Sequence, residues 1–427
     1  MISNSDFPIS KKHFFWNNII KDEWNNWHWQ QSNRITKLEQ LKQILGNKLT
    51  NEEINAFSKT SLNFMVAITP YYFSLIDFDN PKDPIRLQAL PQEGETLAHI
   101  DDTEDPLAEE HDMPVPGLTH RYPDRVLLYT THNCPVYCRH CTRKRKVSNP
   151  NSAATLSQIN LGLDYIRKHK EVRDVVISGG DPLSLSDERL FKIISDLQDI
   201  EHIEMMRLGT RNLVTLPQRI TNEFANGLKE LNSRKINGKR KPIFINTHYN
   251  NPKECTHEAE EASHRLLLAG SPLGNQCVLL KGVNDNINVM KELNKKLLQM
   301  GIKPYYIYLC DPTPGTGHFR TSVEIGLEII DNLRGHTSGF ATPQLVIDAP
   351  SGGGKILIPN GIIGRHVGSK YTVWKLINFE KNYYYYIAPN DETNYYKRYN
   401  KPIPNDFDIS ELKNSFLKNA YEKGLID

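Results

Sequence analysis

Cysteine is scarce in this chain. Six thiols in 427 residues are too few to staple a secreted fold. Three of them, Cys255, Cys277 and Cys310, are scattered, as packed thiols in a reducing compartment are. An excess of charge is also missing. With 52 Lys and Arg against 50 Asp and Glu, nothing points to nucleic acid or an anionic membrane as a partner. No stretch approaches the roughly 20 apolar residues of a membrane span. The N-terminal Met-Ile-Ser-Asn-Ser-Asp-Phe-Pro has no apolar run of the secretory kind. No internal repeat is found. The expectation is a soluble, cytoplasmic protein.

The other three cysteines are concentrated. Cys134, Cys138 and Cys141 stand in a C-x3-C-x2-C array, and a short loop with this spacing can point three thiolates at one centre. A closed structural zinc site wants four ligands. Three suit a four-iron cluster that leaves one iron open to a substrate. Arg125 to Thr131, just upstream, reads as a buried strand. The array therefore follows a strand's C-terminal end, where α/β folds place their chemistry.

The chain changes character near residue 120. Before it, Trp16, Trp24, Trp27 and Trp29 crowd a helical-looking segment, read as an anchor for an N-terminal helical region. Met65 to Ile76 is apolar and interrupted by Pro70, which predicts a turn or kink there. Residues 77–118 are rich in Asp, Glu and Pro with little periodicity, as a loop or covering arm would be. Beyond Arg125, β-rich runs alternate with amphipathic ones. Strands are predicted at 125–130, Asp174–Ser178, Ile203–Leu208, Pro242–Asn246, Gln276–Leu280 and Tyr305–Leu309. Helices are predicted at about 155–169, 184–200, 218–231, 256–269, 287–300 and 322–335. Six such units imply a parallel sheet with right-handed crossovers, curved into a partial barrel rather than a closed eight-strand one. The basic run Asn232 to Lys241 reads as a solvated loop insertion. The tyrosines at 383–386, 395, 396 and 399 suggest edge strands or a hairpin. Leu412, Phe416, Tyr421 and Leu425 predict a terminal amphipathic helix over Ser410 to Leu425. The expected division is 1–120 helical region and arm, 121–345 barrel, and 346–427 C-terminal extension.

Two glycine-rich stretches carry further signals. Val175-Val-Ile-Ser-Gly-Gly-Asp-Pro182 ends the second strand, and glycines there let a ligand approach the backbone. Asp348-Ala-Pro-Ser-Gly-Gly-Gly-Lys355 puts a lysine behind three glycines. A phosphate loop is one reading, but Ile356 stands where that motif has Ser or Thr. A Schiff base between Lys355 and pyridoxal phosphate (PLP) is another. An ordinary glycine turn with a solvated lysine is the third.

The cysteine array resembles the signature of the radical S-adenosylmethionine (SAM) superfamily. Ser178, Gly179, Gly180 and Asp181 resemble its motif that holds the amino group of SAM. From about Trp24 to Lys355, and somewhat beyond, the chain is similar to the lysine 2,3-aminomutases. Ala67-Ile-Thr-Pro-Tyr-Tyr72, Pro116 to Arg125, Tyr137-Cys-Arg-His-Cys-Thr-Arg143, Leu216-Pro-Gln-Arg-Ile220, Gly282-Val-Asn-Asp285, His318-Phe-Arg-Thr321 and Arg334 to Gly339 carry the resemblance.

The resemblance implies an α/β fold, a partial (β/α)6 barrel of radical SAM type. It also implies a [4Fe-4S] cluster on Cys134, Cys138 and Cys141, with SAM and PLP. Lys355 is then the PLP lysine. Arg121 and Arg125 lie near its phosphate with Tyr122 between them, and His140 and Gln276 lie in the cofactor pocket. Arg143 would hold the substrate carboxylate. Asp311 and Asp348 would receive a distant cation on the substrate, since two carboxylates would repel a second acid. L-Lysine is the expected substrate and L-β-lysine the product, with arginine as the alternative; glutamate enzymes of this kind lack the acidic pair. A small-molecule amino acid, an electron donor such as flavodoxin or ferredoxin, and a homo-oligomer are the expected partners.

Zinc is not expected. Asn286 stands where the type enzymes have a zinc cysteine, and no cysteine follows Cys310. Ser351, Pro312, Pro314 and Gly317 also depart from the family pattern. A relative that modifies proteins fits less well. A non-catalytic PLP or iron–sulfur binding protein is the reading from a different class.

Overall fold

The computed structural model describes residues 7–8, 10–60, 64–147, 154–411, 417–418 and 421. Its strands are β1 (Leu118–Tyr122), β2 (Arg125–Thr131), β3 (Asp174–Gly179), β4 (Met205–Gly209), β5 (Lys235–Ile236), β6 (Lys239–Arg240) and β7 (Ile243–Thr247). They continue with β8 (Leu273–Leu279), β9 (Ile302–Leu309), β10 (Gln344–Ala349), β11 (Gly354–Leu357), β12 (Ile362–Val367), β13 (Tyr371–Ile377) and β14 (Tyr383–Pro389). One nine-stranded sheet runs in the order β1-β2-β3-β4-β7-β8-β9-β10-β11. From β2 to β10 every neighbouring pair is parallel. The two outermost strands, β1 and β11, pair antiparallel to theirs.

The six expected helices are present at Leu156–Lys168, Asp187–Gln198, Asn222–Ser233, His257–Leu268, Ile287–Gln299 and Val323–Leu333. Each begins behind a side chain that accepts a backbone N–H: Thr155, Ser186, Thr221, Thr256, Asn286 and Ser322. Such caps contribute about 1 kcal/mol each. The helices bury one stripe, as at Ile159, Leu163 and Ile166. Each buried aliphatic side chain of this size stabilises the fold by about 1.5–3 kcal/mol.

The strands alternate accordingly. In β3, Val175 and Ile177 are buried beneath the helices, while Asp174, Val176 and Ser178 are half-buried on the face that lines the barrel interior. The sixth helix leads to β10, a seventh parallel strand that the six-unit reading leaves out of its count.

The barrel does not close by a backbone ladder. Its two edges meet through side chains: the N–H of Lys355, on β11, donates to the hydroxyl of Tyr122, on β1, at 2.8 Å. Arg121 Nε donates to the carbonyl of Gly352. An edge strand's free N–H is satisfied in this way without a further strand.

Trp16 and Trp24 are buried in the main core, and Arg219 lies over the Trp27 ring at 4.6 Å, so these tryptophans anchor the N-terminal helices as expected. Pro70 opens the short helix Pro70–Phe73 behind the cap Thr69, where a missing N–H costs nothing. The basic run differs from the loop expected. Lys235–Ile236 and Lys239–Arg240 form a hairpin turned by Asn237 and Gly238, both at positive φ (50° and 78°), the Asn-Gly signal of a two-residue turn. Tyr383 to Tyr386 lie in β14, paired with β13 in a three-stranded sheet, whereas Tyr395 and Tyr396 depart from the strand expectation and lie in the short helix Tyr395–Arg398, which Tyr399 caps. The terminal helix expected over Ser410 to Leu425 falls largely outside the described residues. Among the described residues no helix is long and apolar enough to cross a membrane.

Candidate active site

The C-terminal ends of the strands carry two chemical stations. The first is the cysteine loop after β2. Cys134, Cys138 and Cys141 are each half-buried. Burial pushes the Cys134 thiol well above its usual range, and Asp181, Cys141 and Cys138 push the same way. Cys141 is raised to about 11 by burial and by Cys138. The thiols therefore lie within each other's fields, and a metal must displace their protons. Among the described residues no three His, Cys, Asp or Glu side chains are already drawn to the spacing that holds a metal ion.

The loop is fixed from outside. Tyr137 N–H donates to Ala67 O at 2.9 Å and Arg139 N–H to Gln88 O at 3.0 Å. Arg34 donates to Cys134 O at 2.8 Å. Arg139 and Lys144 share the carboxylate of Glu95 at 2.5 and 3.0 Å, and all three side chains are buried. Burial alone would raise Glu95, but the two cations outweigh it and hold it below the usual carboxylate range.

From inside, Arg211 donates to Cys138 Sγ at 2.8 Å, to Glu254 at 2.7 Å and to Gln88 at 2.7 Å. Glu254 also accepts from Tyr72 Oη at 2.9 Å and from the N–H of Asn250 at 2.6 Å. His140, between two of the cysteines, is buried and held neutral by desolvation and by Arg211. Its Nε2 meets Asn250 at 3.3 Å, and its Nδ1 has no hydrogen-bond partner. A bound group satisfies a buried atom of this kind.

The glycines of the second motif have a specific cause. A Cβ on Gly179, at φ 118°, would stand 2.3 Å from Thr131 O, and one on Gly180 would stand 2.5 Å from Asn133 O. Only glycine lets β3 end against the cysteine loop. Gly180 N–H then donates to Thr131 O at 2.6 Å and Asp181 N–H to Asn133 O at 2.8 Å. The Asp181 carboxylate is consumed by the Leu183 N–H, Thr210 Oγ1 and the Arg211 N–H, so it braces the ends of β3 and β4. Ser178 is half-buried on the inner face beside Tyr129, its register partner.

The second station lies on β9, β10 and β11. Lys355 pairs with Asp348 across the β10–β11 ladder, Nζ to Oδ2 at 3.2 Å. Burial would lower the ammonium's pKa; Asp348 outweighs it and raises it well above the usual lysine value. Tyr308 lies 5.5 Å from that nitrogen and Tyr122 6.0 Å. Asp311 lies deep in the barrel mouth. Desolvation and then Asp348 push its carboxyl up to about 7, opposed by a hydrogen bond from Thr142. That bond, 2.6 Å from Thr142 Oγ1, joins the stations, because Thr142 directly follows Cys141. Gln276 registers with Tyr306, whose hydroxyl feels both Lys355 and Arg125.

The three arginines are placed differently. Arg143 makes a two-pronged pair with Glu109, Nη2 to Oε1 at 2.5 Å and Nε to both oxygens at 3.1 Å. Arg121 is engaged by Glu380 at 2.7 Å and by Gly352 O. Arg125 lies over the Tyr122 ring at 4.1 Å with Asp124, at 3.3 Å, its one ion-pair partner among the described residues, so its fork is the freer of these two. The structure thus gathers Lys355, Asp348, Asp311, Tyr122 and Arg125 around one mouth.

Sequence reasoning missed Arg211, Glu254, Gln88, Glu95, Glu109 and Thr142. One signal existed: six basic residues, His140 among them, stand between Arg139 and Lys146, and such a run beside a barrel core demands acids, which the 77–118 segment supplies.

A parallel barrel with three thiols at a strand end defines a radical SAM enzyme, and the family model described as the radical SAM superfamily matches residues 128–293. A second model, described as lysine-2,3-aminomutase, matches residues 330–417. An L-lysine 2,3-aminomutase of Clostridium subterminale is 48% identical over 358 residues, 84% of this chain and 83% of that protein. One from Fusobacterium nucleatum is 47% identical over 386 residues, 90% of this chain and 87% of that protein. The chain belongs to the lysine 2,3-aminomutase family. It is a radical SAM aminomutase, an isomerase acting on an amino acid with a [4Fe-4S] cluster and SAM. A glutamate 2,3-aminomutase of Clostridioides difficile is also 44% identical over 83% of this chain and 81% of that protein. Overall identity therefore does not by itself choose the side chain.

Proposed function

We propose that the enzyme converts L-lysine to L-β-lysine by PLP-assisted 2,3-migration of the amino group. The observation that carries this reading is the cluster of Asp311, Asp348 and Lys355 at one end of the mouth, tied through Thr142 to the cysteine loop at the other. When bound, the cluster and SAM supply a hydrogen-abstracting radical, and PLP supplies the electron sink for the migrating nitrogen.

Lys355 provides the amine that holds PLP, and Asp348 opposite it holds or accepts that amine's proton. Once Lys355 leaves its ion pair, Asp348 joins Asp311 in facing the ammonium of the substrate side chain. Arg125, with Arg121, receives the phosphate, for which a guanidinium fork is suited. Arg143 receives the α-carboxylate. Tyr122, Tyr308 and the barrel wall exclude water from the reacting carbons. Cys134, Cys138 and Cys141 ligate the cluster, the backbone of Ser178 to Asp181 lies around SAM, and His140 and Gln276 line the cofactor pocket. An electron donor such as flavodoxin or ferredoxin reduces the cluster, and the enzyme works as a homo-oligomer.

The test is anaerobic incubation with SAM, PLP and dithionite against the common amino acids, reading β-amino products. β-Lysine as the preferred product by kcat/KM supports the reading. A preference for arginine, or for any substrate without a side-chain cation, overturns it.

A further inference from the structure

We propose that Glu109 is a positioning residue that aims Arg143 at the substrate carboxylate. This rests on the reading of Arg143 above. Glu109 lies on the covering arm, not on the barrel, and its side chain is 8% exposed. It takes the inner edge of the guanidinium: Nε donates to both carboxylate oxygens and Nη2 to one. What remains is the outer end, where, among the described residues, Nη1 reaches only Gly179 O at 3.4 Å. The guanidinium lies over the Tyr129 ring at 5.3 Å, which limits its swing on that face. A planar fork held along one edge presents its other edge in one orientation.

Glu109 is itself tied down. Its N–H donates to Asp105 at 3.1 Å, and its carbonyl accepts from Thr119 Oγ1 on β1 at 3.2 Å. The arm is anchored on both sides of the mouth. Thr103 N–H donates to Pro312 O at 2.9 Å, beside Asp311, and Ser351 N–H donates to Pro106 O at 2.8 Å, in the glycine turn before Lys355. Arg145, just after the cysteine array, pairs with Asp105 at 3.1 Å. The arm thus spans the acid, glycine and cysteine loops, and Glu109 is the carboxylate it sets against the arginine. Burial alone would raise that carboxyl, but Arg143 brings it down to about 2, so it stays anionic at every working pH.

The opposite role is available to the same contact. A carboxylate on Arg143 could be a stand-in that the substrate must displace. The two roles differ in sign. Full-length enzyme reconstituted with cluster, SAM and PLP is compared as wild type, Glu109→Gln, Glu109→Asp and Arg143→Gln. KM and kcat are measured for lysine, and Ki for 1,5-diaminopentane, which has both cations and no carboxylate.

A positioning role predicts that Glu109→Gln raises the lysine KM by about tenfold or more, with kcat within about threefold. It also predicts an unchanged Ki for the diamine and partial recovery of KM in Glu109→Asp. A lowered KM in Glu109→Gln means displacement and overturns the proposal. Equal shifts in KM and the diamine Ki mean a general structural role and overturn it too. If Arg143→Gln leaves the lysine KM unchanged, the reading of Arg143 itself has failed, whatever Glu109 does. If Glu109→Gln does not fold, the Glu109→Asp shift, larger for lysine than for the diamine or not, decides the question.

Discussion

At the cysteine station two buried acids are locked to buried cations: Glu95 between Arg139 and Lys144, Glu254 against Arg211. The lysine station is built the other way. Lys355 is half-buried, its backbone held by one tyrosine hydroxyl and its amine by one carboxylate. The contrast fits the two tasks we propose. An iron site must hold three ligands in a fixed frame while electrons arrive, and buried networks give one arrangement. A lysine that exchanges a cofactor with its substrate must move, and few short-range ties permit that. Thr142, bonded to Asp311 beside Cys141, lets the rigid station fix where the adaptable one begins.

The contrast breaks most sharply at Glu95. Changing it to Ala leaves Arg139 and Lys144 buried without their acid, which costs about 3–5 kcal/mol. Urea unfolding of the metal-free protein measures it, and a loss below about 1 kcal/mol would show that the cysteine station is not held as described.

Next in size, Asp311→Asn should reduce kcat/KM for lysine by about a hundredfold while leaving bound iron and PLP intact, as expected for an unpaired cation in a buried site. Loss of PLP in that variant would move Asp311 from substrate to cofactor.

The pH profile sharpens the same point. Asp311 titrates near about 7, so its attraction for a cation is present above that pH and lost below it. For lysine, kcat/KM should rise with pH through about 7, since that ratio reports the free enzyme; in Asp311→Asn the limb should vanish. Stability runs oppositely. The folded carboxyl keeps a proton that the unfolded chain releases near about 4, so Asp311 makes the fold less stable as pH rises from about 4 to about 7.

The smallest effect is expected at the barrel seam. Tyr122→Phe removes the acceptor of the Lys355 N–H and should cost about 1 kcal/mol. A shift in the denaturation midpoint with unchanged slope would read it.

Much of this was legible beforehand. The six βα units were readable because β-rich runs alternate with runs that carry a helical apolar stripe, and the cysteines because their spacing admits few uses. The seam was not, since a tyrosine hydroxyl bridging two edge strands leaves no periodic trace. Glu95 and Glu109 sit in a segment without periodicity, so their partners emerge only when the chain is folded. The Asn237-Gly238 hairpin was readable from its turn residues but was masked by the charges around it.

The central claim is that one barrel mouth holds two separable stations. Anaerobically reconstituted Cys138→Ala and Lys355→Ala variants are each assayed for iron content and for the borohydride-fixed pyridoxyl label, located by peptide mapping. The account predicts that Cys138→Ala loses its four-iron complement yet carries the label on Lys355, while Lys355→Ala keeps its iron and cleaves SAM but carries no label. A label on another lysine, a full cluster in Cys138→Ala, or loss of both properties from either single change would contradict it.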